Sequence, residues 1–300
     1  MIPPDTYLAR RYRVEDLLKS GGYGSVMSAM DIKTGEMVAV KLVPLVDRDG
    51  TFDESGITEI CALKALEGCD VVPKLLCSGR FHTTQFLVLD LFDDDLDDLR
   101  TRNILHDFQI STVTQIFWHT IKIVEAIHTR GILHRDIKSN NLMIKMSNGF
   151  ARLVLVDFGI ATCFKDPKTG VRIPTTENRL NFIGCEYSPP RAAMGIGYWE
   201  TEDLIQVGYM ACYLRHYRPW YSPYEDDMVR NKIDFGRHPE NYLFEEDRIL
   251  APIIKEINYQ EPGKDPNYTA ILELIEYALN EFNVPKQLNV KTINGWLRLD

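Results

Sequence analysis

The 300-residue chain has no apolar run near the roughly 18 residues needed to cross a bilayer as a helix. Met1-Ile2-Pro3-Pro4-Asp5 carries no signal-peptide core. Neither a membrane-spanning nor a secreted protein is expected. Cysteine is sparse: six residues, at 61, 69, 77, 163, 185 and 212, with no C-x-x-C and no Cys/His cluster at zinc-site spacing. A structural metal is therefore not expected, and the scatter suits reduced thiols in a cytoplasmic protein, the nucleus being the alternative. An excess of basic residues is also lacking: 34 Lys and Arg stand against 43 Asp and Glu, a formal charge of -9. That balance disfavours a general nucleic-acid or anionic-membrane binder. Internal repeats and low-complexity linkers are missing too, and a long regulatory tail after the last helical pattern is not expected. The length suits one large domain or two lobes around a shared cleft, and a hydrophobic fraction of 45% is ordinary for a folded core.

What is present is concentrated. His134-Arg135-Asp136-Ile137-Lys138-Ser139-Asn140-Asn141 is followed, sixteen residues after Asn141, by Asp157-Phe158-Gly159. The two runs fit H-R-D-x-K-x-x-N and D-F-G, and in this order and at this distance they resemble the catalytic and metal-binding loops of protein kinases. The competing reading is a buried polar turn between two strands. Phosphoryl transfer from ATP needs positioned charge rather than covalent help. Asp136 is the candidate carboxylate for the substrate hydroxyl, and Lys138 can reach the transferred phosphate. Asn141 and Asp157 offer the hard oxygen ligands that Mg2+ requires. A lysine two residues after Asp136 resembles Ser/Thr rather than tyrosine kinases. The same resemblance makes His134 a spine and backbone-support residue without a part in proton transfer.

The N-terminal third supplies the expected partner lobe. Tyr12 to Ser20 reads as a strand entering Gly21-Gly22-Tyr23-Gly24-Ser25-Val26, a second strand runs to about Asp31, and Met37-Val38-Ala39-Val40-Lys41 is a third. Against the kinase form G-x-G-x-x-G-x-V, Gly21, Gly24 and Val26 fill the last three fixed positions and Lys19 stands at the first. Glycines let backbone N-H groups approach phosphates. Lys19 either adds charge near ATP or points to solvent, and taken alone the stretch could be a tight hairpin. The resemblance assigns Leu18, Lys19, Ser20, Gly21, Gly22, Tyr23, Gly24, Val26 and Ala39 to the nucleotide site, with Lys41 on the α- and β-phosphates. Its partner is expected on the helix Thr58 to Leu66, stopped by Gly68: Glu59, with Glu54 as runner-up. Strands follow at Val71 to Phe81 and Phe86 to Asp90. Leu89 takes the gatekeeper position, and the backbones of Asp90 and Phe92 would hydrogen-bond adenine.

Asp93-Asp94-Asp95-Leu96-Asp97-Asp98-Leu99 suits a helix N-terminus; the sharper alternative is an acidic rim for basic substrates. Ile110 to Arg130 is a long amphipathic helix closed by Gly131, with Trp118 and His119 as packing residues. Leu142-Met143-Ile144 and Leu153-Val154-Leu155-Val156 read as short strands. Tyr187-Ser188-Pro189-Pro190-Arg191, then Glu202-Asp203-Leu204-Ile205-Gln206-Val207-Gly208-Tyr209, then Arg218-Pro219-Trp220, resemble the Y-A-S-x-N-x-H-x-G, R-R-D-D-L-x-S-L-G-Y and L-P-W runs of the casein kinase 1 group, which includes tau-tubulin and vaccinia-related kinases. Glu177-Asn178-Arg179 is similar to its E-N-K. By this resemblance Asp203 braces the catalytic-loop backbone. The chain departs from the pattern in lacking the A-P-E glutamate, in Thr201-Glu202 where two arginines are usual, and in Gly184-Cys185-Glu186 where G-T-A-R is usual. These departures bear on the group's preference for acidic, anion-primed substrates. Candidate activation-segment hydroxyls are Thr162, Thr169, Thr175, Thr176 and Ser188, with Arg135 a possible phosphate partner; constitutive activity is the expectation. Cys163 and Cys185 read as partly buried thiols. Tyr217, Trp220 and Tyr221 read as packing residues, Ile249 to Ile257 and Thr269 to Phe282 as helices, and residues 290–300 as either a cap or a frayed end.

The expected fold is α+β and bilobal: a kinase domain over residues 12–285, with a five-stranded, one-helix N-lobe to about residue 90, a mainly helical C-lobe from about 91, and short extensions at 1–11 and 286–300. The expected activity is Mg2+- and ATP-dependent transfer to Ser or Thr of a protein substrate by a monomer. The alternative is a catalytically weak pseudokinase scaffold; a small-molecule phosphotransferase ranks third.

Overall fold

A computed structural model describes residues 2–21, 24–46, 50–103, 105–147, 150–166, 168–173 and 186–299. Strands β1 (Tyr7–Leu8), β2 (Tyr12–Gly21), β3 (Gly24–Asp31) and β4 (Met37–Pro44), helix α1 (Ser55–Ala65), and strands β5 (Leu75–Phe81) and β6 (Thr84–Asp90) make the N-terminal lobe. Its antiparallel sheet has six strands in the order β1-β2-β3-β4-β6-β5, one more than expected. The extra strand, β1, is two residues pairing Tyr7 with Arg13 and Leu8 with Tyr12. That is too short to show alternation in sequence. β5 begins at Leu75 rather than Val71, because Pro73 has no N-H for the ladder and Val72 turns into the core.

Alternation along β4 sorts its residues. Val38, Val40 and Leu42 pack into an outer cluster with Tyr12, Val14 and Met27. Ala39, Lys41 and Val43 take the other face, which looks toward α1 and the cleft. Across the strands, Lys19 pairs with Val26, Val26 with Lys41, and Lys41 with Leu87. Residues directly opposite share a face, so Lys19, Val26 and Lys41 form one row of the cleft roof.

The C-terminal lobe comprises α2 (Leu96–Thr101), α3 (Ile110–Thr129), β7 (Ile132–Leu133), β8 (Leu142–Ser147), β9 (Phe150–Leu155), β10 (Thr162–Cys163), α4 (Pro190–Ala193), α5 (Glu200–Leu214), α6 (Glu225–Arg237), α7 (Ala251–Tyr259), α8 (Tyr268–Glu281), β11 (Val290–Ile293) and β12 (Trp296–Leu299). The stripe Ile110, Val113, Ile116, Phe117, Ile121, Val124 and Ile127 is wholly buried on α3. Gly131 ends that helix with φ +79°, and a Cβ there would crowd Lys165. Trp118 and His119 do pack, bonding Glu276 and the Lys286 carbonyl on the α8 side. α7 starts at Ala251, after a 3-10 turn over Glu245–Leu250, because Pro252 suits a first helical turn but not an interior. Trp220 is buried as expected, whereas Tyr221 is exposed, lying by Arg218 at the surface.

The C-terminal residues form a docked hairpin. Val290 pairs with Leu299 and Ile293 with Trp296 around Asn294-Gly295, both at positive φ as a tight two-residue turn demands. Leu299 is buried, the Arg102 guanidinium of α2 lies 4.8 Å from the Trp296 ring centroid, and Arg102 Nη1 donates to the Leu297 carbonyl at 3.3 Å. Arg298 donates back to the Arg102 carbonyl. Deleting residues 290–300 is expected to cost about 2 kcal/mol from lost apolar burial and the cation-π contact, lowering the calorimetric midpoint by several degrees. An unchanged midpoint would show that the hairpin adds nothing.

Candidate active site

The roof and floor meet at one ammonium group. Lys41 Nζ lies 2.6 Å from Glu59 Oε2 and 2.6 Å from Asp157 Oδ1. Glu59 rather than Glu54 is the partner: Glu54 is the N-cap of α1, and Glu59, a turn later, is buried. Glu59 Oε1 also accepts the Phe158 N-H at 3.3 Å, so α1 holds the Asp157-Phe158-Gly159 backbone as well as Lys41. Burial pushes the Glu59 carboxyl above its ordinary value, with Lys41 opposing it only in part. Burial would raise Asp157 too, but Lys41 overrides it and holds that carboxyl low. Burial would lower Lys41, yet the two carboxylates hold it above its ordinary value, so it stays charged.

The floor is hung from α5. Asp203, wholly buried, accepts the N-H groups of His134 and Arg135, each at 2.8 Å, together with Tyr198 Oη at 2.7 Å. His128 Nε2 is 2.8 Å from Oδ2, the same oxygen that takes the His134 N-H. Burial alone would raise the Asp203 carboxyl; its His128 partner and the other donors bring it below its ordinary value. This is the bracing role read from the sequence. Gln206, one turn on, accepts the Ile137 N-H at 2.9 Å and donates to the Arg135 carbonyl at 3.1 Å. Sequence reading missed Gln206 and His128. The spacing of Asp203 and Gln206 on one helix face was the available signal for the former.

Held this way, the loop arranges its functional groups. His134 Nε2 donates to the Val156 carbonyl at 3.0 Å, and Nδ1 accepts the Asp136 N-H at 3.2 Å. Burial lowers its pKa, so the ring is neutral and supports backbone; it also stands edge-on to Phe158 at 4.7 Å. Lys138 Nζ lies 2.7 Å from Asp136 Oδ2. Asn141 Nδ2 donates to the Asp136 carbonyl and to Oδ2, at 2.8 and 3.0 Å. Committing the Asn141 amide nitrogen inward leaves its oxygen as the end that could ligate a cation, alongside the Asp157 carboxylate. One amide and one carboxylate oxygen fit a hard divalent ion that takes further ligands from phosphate. Arg135 and Asp157 have φ of 76° and 68°, left-handed values in non-glycine residues, and such strain is typical where a backbone is held for chemistry.

The roof places the remaining nucleotide-site residues. Ala39 faces Leu89 across β4 and β6, and both are nearly buried. Gly24, at φ +130°, would put a Cβ 2.1 Å from the Leu42 carbonyl oxygen, so only glycine fits; Gly21 has open space. Gly22 and Tyr23 lie outside the described residues. Lys19 pairs with Val26 directly after a register irregularity in β2. Leu18 and Ser20 are exposed beside it. At the hinge, the Asp90 carboxylate is 3.4 Å from Lys145 Nζ, which also lies over the Phe92 ring.

The aspartate run is consumed largely by structure. Asp95 caps α2 by accepting the N-H groups of Asp97 and Asp98, at 3.0 and 2.9 Å. Asp94 takes both nitrogens of Arg102, and Asp97 takes Arg100. Asp93 and Asp98 remain exposed.

In the activation segment, β10 pairs with β7 beside the catalytic loop. Arg172 grips Glu200 through two nitrogens, at 2.7 and 2.9 Å, and Asp265 at 2.7 Å. Thr162 is half-buried in β10, and Thr169 bonds Asp166. Ser188 is buried, which removes it as an accessible phosphorylation site. Arg135 is likewise buried, its guanidinium 5.6 Å from the Tyr198 ring centroid. Cys163 is exposed rather than partly buried, since the edge of β10 leaves it at the surface. Thr175, Thr176, Glu177-Asn178-Arg179, Gly184 and Cys185 lie outside the described residues. Where the A-P-E glutamate is absent, Arg191 Nε stands 3.6 Å from Glu202 Oε1 on α5, without a hydrogen bond between the two atoms. Lys232 Nζ donates to the Ser188 carbonyl at 2.8 Å, and Arg218 pairs with Glu186 at 2.5 Å.

Two lobes joined at a lysine–carboxylate bridge, over a loop presenting Asp136, Lys138 and Asn141, define the bilobal kinase class. The family model for the protein kinase domain matches residues 12–277, and the chain belongs to that family. Membership carries ATP, a divalent metal and a protein substrate as general attributes. No helix among the described residues is long and apolar enough to cross a membrane.

Glu202 gives a pH prediction. Burial pushes its carboxyl up to about 7 from 4.5, although it accepts the Trp199 N-H and the Thr201 hydroxyl. Between those values the folded chain binds this proton more readily than the unfolded chain, so its contribution to stability falls as pH rises. Glu202→Gln should gain stability relative to wild type between pH 5 and pH 8, by on the order of 2–3 kcal/mol. Urea denaturation at both pH values checks this; a constant difference would place the Glu202 pKa near its unfolded value.

Proposed function

We propose that the chain is an active protein serine/threonine kinase of the casein kinase 1 group, moving the γ-phosphoryl group of Mg2+-ATP to Ser or Thr hydroxyls of a protein. The observation that carries this reading is the joint placement of Lys41 between Glu59 and Asp157 and of Asp136 between Lys138 and Asn141. In this reading Lys41 contacts the α- and β-phosphates and is oriented by Glu59. Asp136 aligns the acceptor hydroxyl and takes its proton, and Lys138 offsets charge on the moving phosphoryl group. Asn141 and Asp157 hold Mg2+, which would neutralise the phosphates and fix their geometry. Val26, Ala39 and Leu89 enclose the base, and the backbones of Asp90 and Phe92 bind its edge.

The Ser/Thr assignment rests on Lys138, and the group assignment on the Tyr187 to Trp220 runs. Thr201 and Glu202, standing where the group carries arginines, argue against an acidic, primed substrate. The capped and paired aspartates leave only Asp93 and Asp98 for a basic one. Constitutive activity is part of the proposal, supported by the burial of Ser188 and by the Arg172–Glu200 ion pair in the segment. A cytoplasmic monomer completes it. The rival, a pseudokinase scaffold, draws on Lys19 and the absent A-P-E glutamate. The Arg172–Glu200 and Arg172–Asp265 pairs weaken the second of these by giving the segment other contacts.

Transfer from ATP with Mg2+ to casein and to a basic protein tests the reading. Asp136→Asn and Lys41→Arg should each reduce phosphate incorporation about a hundredfold or more, on Ser or Thr only, and phosphatase pretreatment should leave wild type active. ATP binding without transfer by wild type would favour the scaffold.

A further inference from the structure

Lys19 Nζ lies 2.8 Å from Asp95 Oδ2, joining strand β2 of the roof to the N-cap of α2, the first helix of the floor. Three observations set this contact apart from a chance surface pair. The partners are unequal: Asp95 is 3% exposed and fixed by its cap bonds, while Lys19 is 61% exposed and reaches down to it. Next, β2 carries irregularities between Val14 and Leu17 and between Leu17 and Lys19, so that it spends extra residues against β3 just before Lys19. Such bulges re-aim side chains beside functional sites, and here the result is Lys19 in the row with Val26 and Lys41. Finally, the neighbouring carboxylates are otherwise engaged: Asp94 by Arg102 and Asp97 by Arg100, leaving Asp95 and exposed Asp98 as the acidic corner that faces Lys19.

We propose that Lys19 and Asp95 form a clasp across the mouth of the nucleotide cleft, making Lys19 a positioning residue that holds the glycine-loop strand down over bound nucleotide and slows its release. The proposal rests on reading this cleft as the nucleotide site. β2 is otherwise tied to the floor indirectly, through β3 to β4, whose Lys41 meets Asp157 deep in the cleft. The lysine adds a strut at the outer edge. A nucleotide entering or leaving by that edge has to break it, so both association and dissociation are slowed and the bound state is held longer.

The test pairs two readouts on the full chain. Lys19→Ala removes the cation from an exposed position, and Asp95→Asn removes the charge while keeping a good capping side chain. Hydrogen exchange of the nucleotide-free protein is followed in peptides spanning residues 12–27, and dissociation of a fluorescent ATP analogue is timed in 0.05 M and 0.5 M salt. Each substitution is expected to speed exchange in β2 and to raise the dissociation rate roughly two- to fivefold, the scale of a partly exposed ion pair. The double variant should do no more than either single one, and high salt should erase the differences by screening the pair. Exchange unaltered by either variant, or additive effects in the double variant, would overturn the clasp. Wild type failing to bind the analogue while both variants speed exchange would instead overturn the nucleotide reading and leave the clasp standing.

Discussion

The structure depends on one lysine held between two carboxylates from different parts of the chain. Lys41 comes from the sheet, Glu59 from the helix packed on it, and Asp157 from the other lobe. Ion pairs buried to this degree contribute little net stability, because desolvation cancels much of the attraction, and breaking one costs far more than making it contributes. Their effect is to specify geometry. With Glu59 also receiving the Phe158 N-H, α1 cannot rotate away without stranding both a charge and a backbone donor. Around the catalytic groups, two ammoniums, Lys41 and Lys138, face three carboxylates, Glu59, Asp136 and Asp157. That surplus of carboxylates is what a divalent cation would offset.

The second constraint is mechanical. α5 is buried along almost its whole length, so its polar residues must be satisfied by protein. Asp203 and Gln206 meet that demand by taking the backbone of residues 134 to 137. The positive φ of Arg135 persists because these bonds over-determine it. Glu202, beside them, faces the other way and meets Arg191. One helix thus braces the catalytic loop on one side and the end of the activation segment on the other.

The grouping of the candidate site residues was legible in the sequence because their spacing is dictated by local loops: Asp136, Lys138 and Asn141 lie within six positions of one another, and Asp157 follows one hairpin later. Glu59 was legible because helical periodicity fixes which acidic residue faces inward. Other features were not. The two residues of β1 are too few to carry a pattern. Tyr221 and Trp220 are adjacent and chemically alike, and only the path of the chain leaves one exposed and the other buried. Ser188 reads as a surface hydroxyl and becomes buried only when the α4 and α6 region closes over it. The Asn294-Gly295 turn was a local signal of a hairpin, but whether the hairpin would dock depended on Arg102, almost 200 residues earlier in the chain.

The shortest helix along the cleft edge ties these strands together. α2 has six residues, fewer than a helix needs to persist without outside support. Its order is supplied from its surroundings: Asp95 caps its start, Arg100 is buried against Tyr213 and bonds Asp97, and Arg102 at its end is shared between Asp94 and the C-terminal hairpin. Asp95 is also the anchor for Lys19. A strut is no stiffer than its footing, so the hold of the floor on β2 depends on contacts made by Trp296, Leu297 and Arg298. Contacts of the C-terminal hairpin and the Lys19–Asp95 pair thus meet on the same short helix.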